Sequence, residues 1–382
     1  MTTQTRFGND TTSHVDHLIK STTPQNTINT KKSVWRQFEQ FCKQKQYKME
    51  KDTPVEVIAS ILKSWAVNMR KENGEDYKEC FVKTIWNVTA KLIQEKYFDE
   101  FHVTFNPFSD IQFKSARDAR NAKRRILQKQ PEKKKQSARA LKMDEYNAMI
   151  NSCDENTPEG LQVKIFHVVS LELAWRGNDR VKCLIHHFQD ETNNDGNFSG
   201  RIVYNPIFTK TCQGGDQRCA DTKWLTPNKQ EPHKCPVRLN KKLIEKRGPH
   251  ITTDRLFLTP NPYWTKNGSS WYKNVPIGKN IFCKWTKTSA EKTGLDVKKR
   301  KITNHSSRST IVSQMSNVGV QKQELIKITG HSNSSSLKPY LQLIEEHHLN
   351  ILNKVRCSTS TKSEDSVSLT YNNCVFNNCS FK

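Results

Sequence analysis

Six side chains scattered through this 382-residue sequence have the chemistry needed to break and remake a phosphodiester bond. They are Arg176, Lys210, His305, Arg308, His331 and Tyr340. Two guanidinium groups can hold the non-bridging oxygens of one phosphate through paired hydrogen bonds. They would also neutralise the charge that builds up in a pentacoordinate transition state, which is usually the largest catalytic contribution. These residue types therefore predict a site for attack on a nucleic-acid backbone.

Tyr340 is the candidate nucleophile of this set. A tyrosine hydroxyl, with a free pKa of about 10, is a weak nucleophile that becomes effective beside concentrated positive charge. A histidine can accept its proton or hold the phosphate, and Lys210 on a flexible turn can protonate the departing 5′ oxygen. The product would be a covalent phosphotyrosine. This chemistry needs no metal or other cofactor, which agrees with the lack of clustered Asp and Glu residues in these stretches.

Two of the candidates lie on predicted helices. His305 and Arg308 are three residues apart in TNHSSR, so at a helix start their side chains point the same way. Arg176 follows the apolar run LELAW, where an arginine is costly unless an anion meets it, and Asp179 could orient it. Arg180 competes with Arg176, but only Arg176 has the apolar helix before it and the acid three residues after it.

The lysine is the least constrained assignment. Lys210 lies in TKT, just before the Gly214-Gly215 turn between the predicted strands RIVYNPIF and TKWLTP. Lys223 on the second of these strands and Lys229 after it are the alternatives. The turn position favours Lys210, because a lysine there is mobile.

The last two candidates share the stretch ITGHSNSSSLKPY. Its residues are mostly small and polar, so a buried core does not explain it, and Tyr340 follows His331 by nine positions. Gly330 is predicted to cap the short helix QELIKIT, which directs His331 at the phosphate. The nine-residue interval would let Tyr340 reach the same phosphate.

The order of these groups resembles the tyrosine recombinase (phage integrase) family. That family has the pattern Arg…Lys…His-x-x-Arg…His/Trp…Tyr, which WRGND, TKT, HSSR and TGHSNSSSLKPY match in turn. In that family the last histidine follows a glycine and the nucleophile comes nine residues later, as here. The resemblance implies DNA cleavage and rejoining through a 3′-phosphotyrosyl link. All six positions are present, which implies an active enzyme rather than a decayed one.

Three longer stretches look like the recombinases of Crypton DNA transposons and the host proteins domesticated from them. These are SWYKNVPIGKNIFCKWTKTSAEKTGL, KKRKITNHSSRSTIV and VGVQKQELIKITGHSNSSSLKPY. The likeness covers residues 28–354. It implies a helical core-binding domain and a mixed catalytic domain that clamp duplex DNA, and several protomers that assemble on it. A transcription or chromatin regulator without catalysis and a type IB topoisomerase-like enzyme are the alternatives.

The expected fold class is mainly α with a small antiparallel β-sheet. Residues 1–27, rich in Thr, Ser, Asn and Gln, are predicted to be a disordered arm. Apolar residues recur at three- and four-residue steps from Ile28, which predicts an all-helical core-binding domain over 28–111. Residues 112–142 are predicted to be a basic linker. An α+β catalytic domain follows over 143–356, and residues 357–382 form a Ser-, Asn- and Cys-containing tail.

The predicted linker carries twelve Lys and Arg residues against Asp118 and Glu132. A basic segment between two folded regions can lie along a DNA backbone. It is also typical of a nuclear import signal. The residues expected to contact DNA are Lys123, Arg124, Arg125, Lys133, Lys134 and Lys135.

Composition agrees with a nucleic-acid partner. The formal charge is +24 and the pI about 9.6, so the surface attracts polyanions, and we expect double-stranded DNA. Eleven cysteines without framework spacing predict a reducing compartment, either the nucleus or the cytosol, and of the two we expect the nucleus. No apolar run spans a bilayer and the first residues contain no secretory apolar region, so we expect no membrane association.

Four residues suggest zinc binding as an alternative. They are Cys212, Cys219, His233 and Cys235. The closing His-x-Cys does not match the usual C-x-x-C or H-x₃₋₅-H spacing of zinc ligands, so reduced thiols in a loop are expected instead.

Overall fold

The computed structural model describes residues 10–206, 222–266, 268–331, 333–340, 345–358, 369–371 and 374–376. The chain divides into two compact units, Met1–Gln136 and Ser137–Lys382. Within the described residues, no helix is both long and apolar enough to cross a bilayer.

Over its described residues, 10–136, the N-terminal unit has helices and no strands. Its helices are α1 (Thr12–Thr22), α2 (Gln25–Gln44), α3 (Val55–Asn68), α4 (Glu79–Phe101) and α5 (Lys114–Gln128). Its core is aromatic, since the rings of Phe38 and Trp65 meet edge to face at 5.6 Å. The indole of Trp86 donates to the Leu62 carbonyl at 3.0 Å, so even this buried polar group is satisfied.

The expectation of a disordered arm over 1–27 needs correction. Residues 12–22 form α1, and α2 begins at Gln25. Val15, Leu18 and Ile19 recur at helical spacing, a pattern that the Thr- and Ser-rich composition obscured, and all three are exposed. Residues 1–9 lie outside the described part of the chain.

The expectation of a linker over 112–142 is also wrong for its first half. Residues 114–128 form α5, which packs on the N-terminal core through the buried side chains of Ala116 and Leu127, next to buried Phe113 just before the helix. The guanidinium of Arg120 lies over the ring of Trp86, 4.6 Å from its centre. The few apolar positions of α5 determine its packing, although basic residues outnumber them.

The C-terminal unit is mixed. Its helices are α6 (Met143–Asn151), α7 (Pro158–Glu172), α8 (Gly177–Val181), α9 (Pro236–Arg247), α10 (Lys279–Phe282), α11 (Trp285–Lys292), α12 (Asn304–Asn317), α13 (Lys322–Thr329) and α14 (Glu345–Ser358). Its strands are β1 (Phe188–Thr192), β2 (Phe198–Tyr204), β3 (Lys223–Leu225), β4 (Leu258–Pro260), β5 (Tyr272–Pro276), β6 (Leu369–Tyr371) and β7 (Cys374–Phe376). The predicted fold class, mainly α with a small antiparallel sheet, is confirmed.

Strands β1, β2 and β3 form one antiparallel sheet in that order. Tyr204 of β2 is opposite Lys223 of β3, which sets the position of that lysine along the sheet edge. Strands β4 and β5 pair separately, as do β6 and β7. The sequence had predicted β2 and β3 but not β1, whose residues FQDET carry little apolar signal.

Helix α7 runs through the core of this unit. Thr157 caps its start by accepting from the Gly160 amide at 3.1 Å, and Pro158 occupies its first turn, where a proline is tolerated. Leu161, Ile165 and most of its other side chains are buried, so α7 is a rigid support. Its C-terminal end holds the segment from which Arg176 projects.

Candidate active site

The C-terminal end of α7 collects cations. Ala174 has φ +46, a left-handed conformation that ends the helix and separates the directions of successive carbonyls. The carbonyls of Leu173, Ala174 and Trp175 accept, in that order, from Lys223, Arg308 and Arg180. These carbonyls have no helical partner and lie at the negative end of the helix dipole, so cations are favourable there. The distant elements β3 and α12, which carry Lys223 and Arg308, and the nearby helix α8 are thereby joined to the end of α7.

Arg308 lies at the centre of this cluster. It is on the first turns of α12, which the cap residue Thr303 precedes, and it is only 2% exposed. Its Nη2 donates to the Thr329 carbonyl at 2.7 Å. Burial, followed by the charge of Arg176, lowers the pKa of Arg308 to about 10, so it stays protonated at neutral pH.

The structure separates the two arginines that compete in the sequence. Arg176 is partly exposed and donates a hydrogen bond to the Gly330 carbonyl. Gly330 has φ +64 and ends α13, as predicted, in a conformation that glycine tolerates best. Arg180, in contrast, is fully buried. Arg176 is therefore the one placed beside the predicted histidine loop.

His331 is surrounded by positive charge. Its pKa is lowered to about 3, first by burial and then by Arg308, Arg176, Lys223 and His305. The imidazole is therefore neutral in the absence of an anion. Such a site attracts negative charge, because several desolvated cations share a small volume.

Tyr340 completes the cluster from the same chain. Its hydroxyl lies 3.0 Å from Nε2 of His305, and its ring centre is 5.4 Å from that of His331. Buried Leu337 and a 2.7 Å hydrogen bond from Ser313 to the Tyr340 carbonyl anchor the segment. The nine-residue interval thus does bring both predicted groups to one place.

The structure describes the alternative lysine but not the preferred one. Lys210 lies outside the described residues. Lys223, the alternative, donates to the Leu173 carbonyl at 2.8 Å and lowers the pKa of His331. Its charge also acts on Asp179, whose pKa is nevertheless raised because burial outweighs the nearby cations. The structure therefore brings together Arg176, His305, Arg308, His331 and Tyr340 with Lys223.

Three solved structures share this architecture. XerH site-specific recombinase bound to palindromic difH substrate, a post-cleavage complex, aligns with TM-score 0.53 and 14% identity over 87% of this chain and 79% of that one. The Tn1549 transposon integrase with circular intermediate DNA aligns with TM-score 0.53 and 15% identity over 87% and 94%. Its complex with transposon right end DNA gives TM-score 0.52 and 15% identity over 90% and 97%.

This chain has the tyrosine recombinase fold. No protein-family model matches the sequence, and no curated protein matches it. At 14 to 15% identity the likeness is one of fold. The roles of the side chains within this recombinase fold must be argued from their geometry.

The basic residues expected to bind DNA fall into two groups. Lys123 pairs with Asp76 at 2.8 Å and Arg124 with Glu79 at 2.9 Å, while Lys133 donates to the Asp76 carbonyl at 3.1 Å. These three stabilise the N-terminal unit itself. The remaining three, which are exposed, are Arg125, Lys134 and Lys135.

Zinc has no support among the described residues, where no three His, Cys, Asp or Glu side chains form a group able to hold a metal. Cys212 and Cys219 lie outside the described part of the chain, so the prediction of a metal-free loop stays a prediction.

Sequence reasoning missed three positions at this site. The left-handed Ala174 carries no sequence signal, because alanine rarely adopts that conformation. Arg180 was considered only as a competitor of Arg176. Thr329 was counted as one more residue of a short helix, although its side chain contacts His331. A threonine directly before Gly330-His331 is the one signal that could have drawn attention to it.

Proposed function

We propose that this protein is a tyrosine recombinase that cleaves and rejoins duplex DNA through a covalent 3′-phosphotyrosyl intermediate. The observation that carries the proposal is the placement of the Tyr340 hydroxyl 3.0 Å from Nε2 of His305, beside the buried guanidinium of Arg308, with which its side chain also interacts. This arrangement supports the proposal that a nucleophile, a base and a cation for the phosphate act on one phosphorus atom.

The proposed reaction needs no external energy source. The Tyr340 oxygen attacks phosphorus and forms the new O–P bond, while its proton passes to Nε2 of His305. The bond between phosphorus and the 5′ oxygen breaks, and that oxygen takes a proton from Lys223. Rejoining reverses each step, because the phosphotyrosyl bond conserves the energy of the phosphodiester.

Protonation states suit these roles. Burial and then Arg308 and Arg180 lower the pKa of His305, so its imidazole is neutral and can accept a proton at neutral pH. Arg308 and Arg176 would hold the non-bridging oxygens and compensate the charge of the transition state. We assign the role of proton donor to Lys223 in place of Lys210, because Lys223 and Arg308 both donate to carbonyls at the C-terminal end of α7.

The proposed biological role is integration and excision of a Crypton-like mobile element in the nucleus. The sequence resemblance to Crypton recombinases, the net charge of +24 and the fold shared with a transposon integrase support it. Recombination joins two duplexes, so we propose a dimer or tetramer on DNA. Helix α14 exposes Leu349 and Ile351 and is the candidate segment for docking on a neighbouring protomer.

A nicked suicide duplex carrying the element's own ends tests the proposal. Cleavage releases a short fragment that cannot religate, so a covalent protein–DNA adduct should accumulate and appear on a denaturing gel. Tyr340→Phe should abolish it, whereas Tyr263→Phe, at an exposed tyrosine of the same unit, should not. An adduct that persists in Tyr340→Phe would refute the nucleophile.

The same assay separates the alternatives. Tight binding of the duplex without any adduct would indicate a DNA-binding regulator that has lost catalysis. Relaxation of supercoiled plasmids that lack the element ends would indicate a topoisomerase-like enzyme.

A further inference from the structure

The hydroxyl of Thr329 makes two hydrogen bonds, one as a donor and one as an acceptor. It is the last residue of α13 and is 1% exposed. Its hydroxyl donates to the carbonyl of Leu325, one turn earlier in the helix. The same oxygen lies 2.5 Å from Nδ1 of His331. A buried hydroxyl thus connects the end of the helix to the imidazole of the candidate site.

These contacts determine where the imidazole proton lies. A carbonyl oxygen has no hydrogen, so its close contact with the Thr329 hydroxyl is favourable only if the hydroxyl donates. The hydroxyl has a single hydrogen, which is then used. Its contact with Nδ1 is favourable only if Nδ1 carries a proton. Neutral His331 is therefore protonated at Nδ1 and has its lone pair on Nε2.

Arg308 does not change this assignment. Its Nη2 lies 3.3 Å from Nδ1 and 3.0 Å from Nε2 of His331. The two ring nitrogens flank one carbon, so an atom this close to both lies over the ring and is in line with neither lone pair. The same Nη2 already donates to the Thr329 carbonyl at 2.7 Å. The position of the ring proton is therefore decided by the threonine hydroxyl.

We propose that Thr329 is a positioning residue that holds neutral His331 in its Nδ1–H form, so that His331 donates from Nε2 to a phosphate only after gaining a second proton from solvent. The first half of this proposal concerns the DNA-free protein. The second half rests on the proposed function, because it needs a backbone phosphate at the site.

The charged neighbours of His331 explain why it gains its second proton only when DNA is bound. The groups that face His331 are Arg176, Lys223 on β3, His305 and Arg308 on α12, and Tyr340. Burial and the cations among them lower its pKa to about 3 without DNA. A phosphate held by the two arginines would offset their charge and accept from Nε2, so its arrival favours the imidazolium.

Nuclear magnetic resonance of the DNA-free full chain with ¹⁵N-labelled histidine tests the first half. Long-range ¹H–¹⁵N spectra distinguish protonated from unprotonated ring nitrogens, and comparison with His331→Gln assigns the signals. We expect a protonated Nδ1 and an unprotonated Nε2 in the parent and in Thr329→Ser. Thr329→Val, which keeps the shape but removes the acceptor, should lose this preference. An unprotonated Nδ1 in the parent would overturn the proposal.

Proton uptake on DNA binding tests the second half. Calorimetry of Tyr340→Phe with the element-end duplex, in buffers of different ionisation enthalpy, counts protons without cleavage. We expect uptake of about one proton per site, which disappears in Tyr340→Phe/His331→Gln. Equal uptake in the two proteins would refute this half. Failure of the proposed function would instead appear as no adduct with the parent protein, and leaves the spectra of the DNA-free chain unaffected.

Discussion

Arg180 donates a 2.6 Å hydrogen bond to the backbone carbonyl of Asn304. Its other terminal nitrogen donates to the carbonyl of Trp175 at 2.5 Å. These two carbonyls belong to the residues directly before His305 and Arg176. A single buried guanidinium therefore sets the distance between the segments that carry two of the candidate catalytic groups.

The variant Arg180→Lys should show whether Arg180 acts through its two hydrogen bonds or through its positive charge. A lysine keeps the cation but has one nitrogen, which cannot bridge two carbonyls as the planar fork of arginine does. We expect the free energy of unfolding to fall by about 3 kcal/mol, because one buried carbonyl loses its donor. Adduct formation should slow by about 10- to 100-fold while DNA affinity changes little. Urea unfolding, the suicide-duplex assay and binding titrations measure these effects. A parent-like cleavage rate would show that the bridge is dispensable.

The pH dependence of cleavage should follow His305. Its pKa is lowered from the ordinary 6.5, so the neutral base persists below that pH and activity falls only as pH drops through the lowered value. Arg180 is one cause of the lowering, so Arg180→Met should raise the pKa of His305 and move the acid limb to higher pH. Arg180→Lys keeps the charge and should leave the limb in place. Single-turnover rates across pH measure the limb, and an unchanged limb in Arg180→Met would contradict the role of this charge.

Lys223 and Lys210 can be distinguished by the leaving group. A duplex with sulfur in place of the 5′ bridging oxygen needs no protonation of the departing group, since a thiolate is stable at neutral pH. We expect Lys223→Ala to cleave normal DNA about 100-fold or more slowly than the parent and to recover on the sulfur-containing duplex. Lys210→Ala should cleave both at nearly the parent rate. If instead only Lys210→Ala cleaved normal DNA slowly and recovered on the sulfur-containing duplex, Lys210 would be the proton donor.

The basic residues in and after α5 should differ in how strongly they affect the salt dependence of DNA binding. Replacing exposed Lys134 and Lys135 by alanine should lower the slope of log binding constant against log salt by about 0.9 for each phosphate that is no longer neutralised. Lys123→Met should leave the slope unchanged and lower the free energy of unfolding by about 1 kcal/mol, because Lys123 pairs with Asp76. Binding titrations at several salt concentrations and urea unfolding make the comparison. A smaller slope in Lys123→Met would assign that lysine to the DNA surface.

The sequence by itself determined the local features of this protein. The spacing of His305 and Arg308 predicted one helix face, and α12 carries them so. The glycine before His331 predicted the end of α13, which the structure confirms. Alternating apolar residues predicted strands β2 and β3. These features depend on residues within a few positions of one another, and steric and hydrogen-bonding rules act directly at that range.

Only the tertiary structure decided which groups meet. Arg180 is placed differently from Arg176 because its guanidinium donates to the carbonyl of Asn304, which is 124 residues away in the chain. Lys223 enters the site because its strand pairs with β2 and its amine reaches the end of α7. Helix α5 packs where the density of charge indicated a linker, since the buried side chains of Ala116 and Leu127 outweigh many exposed ones. Which side chains meet depends on the free energy of burying them together. That free energy involves residues far apart in the chain, so no single stretch of sequence reveals it.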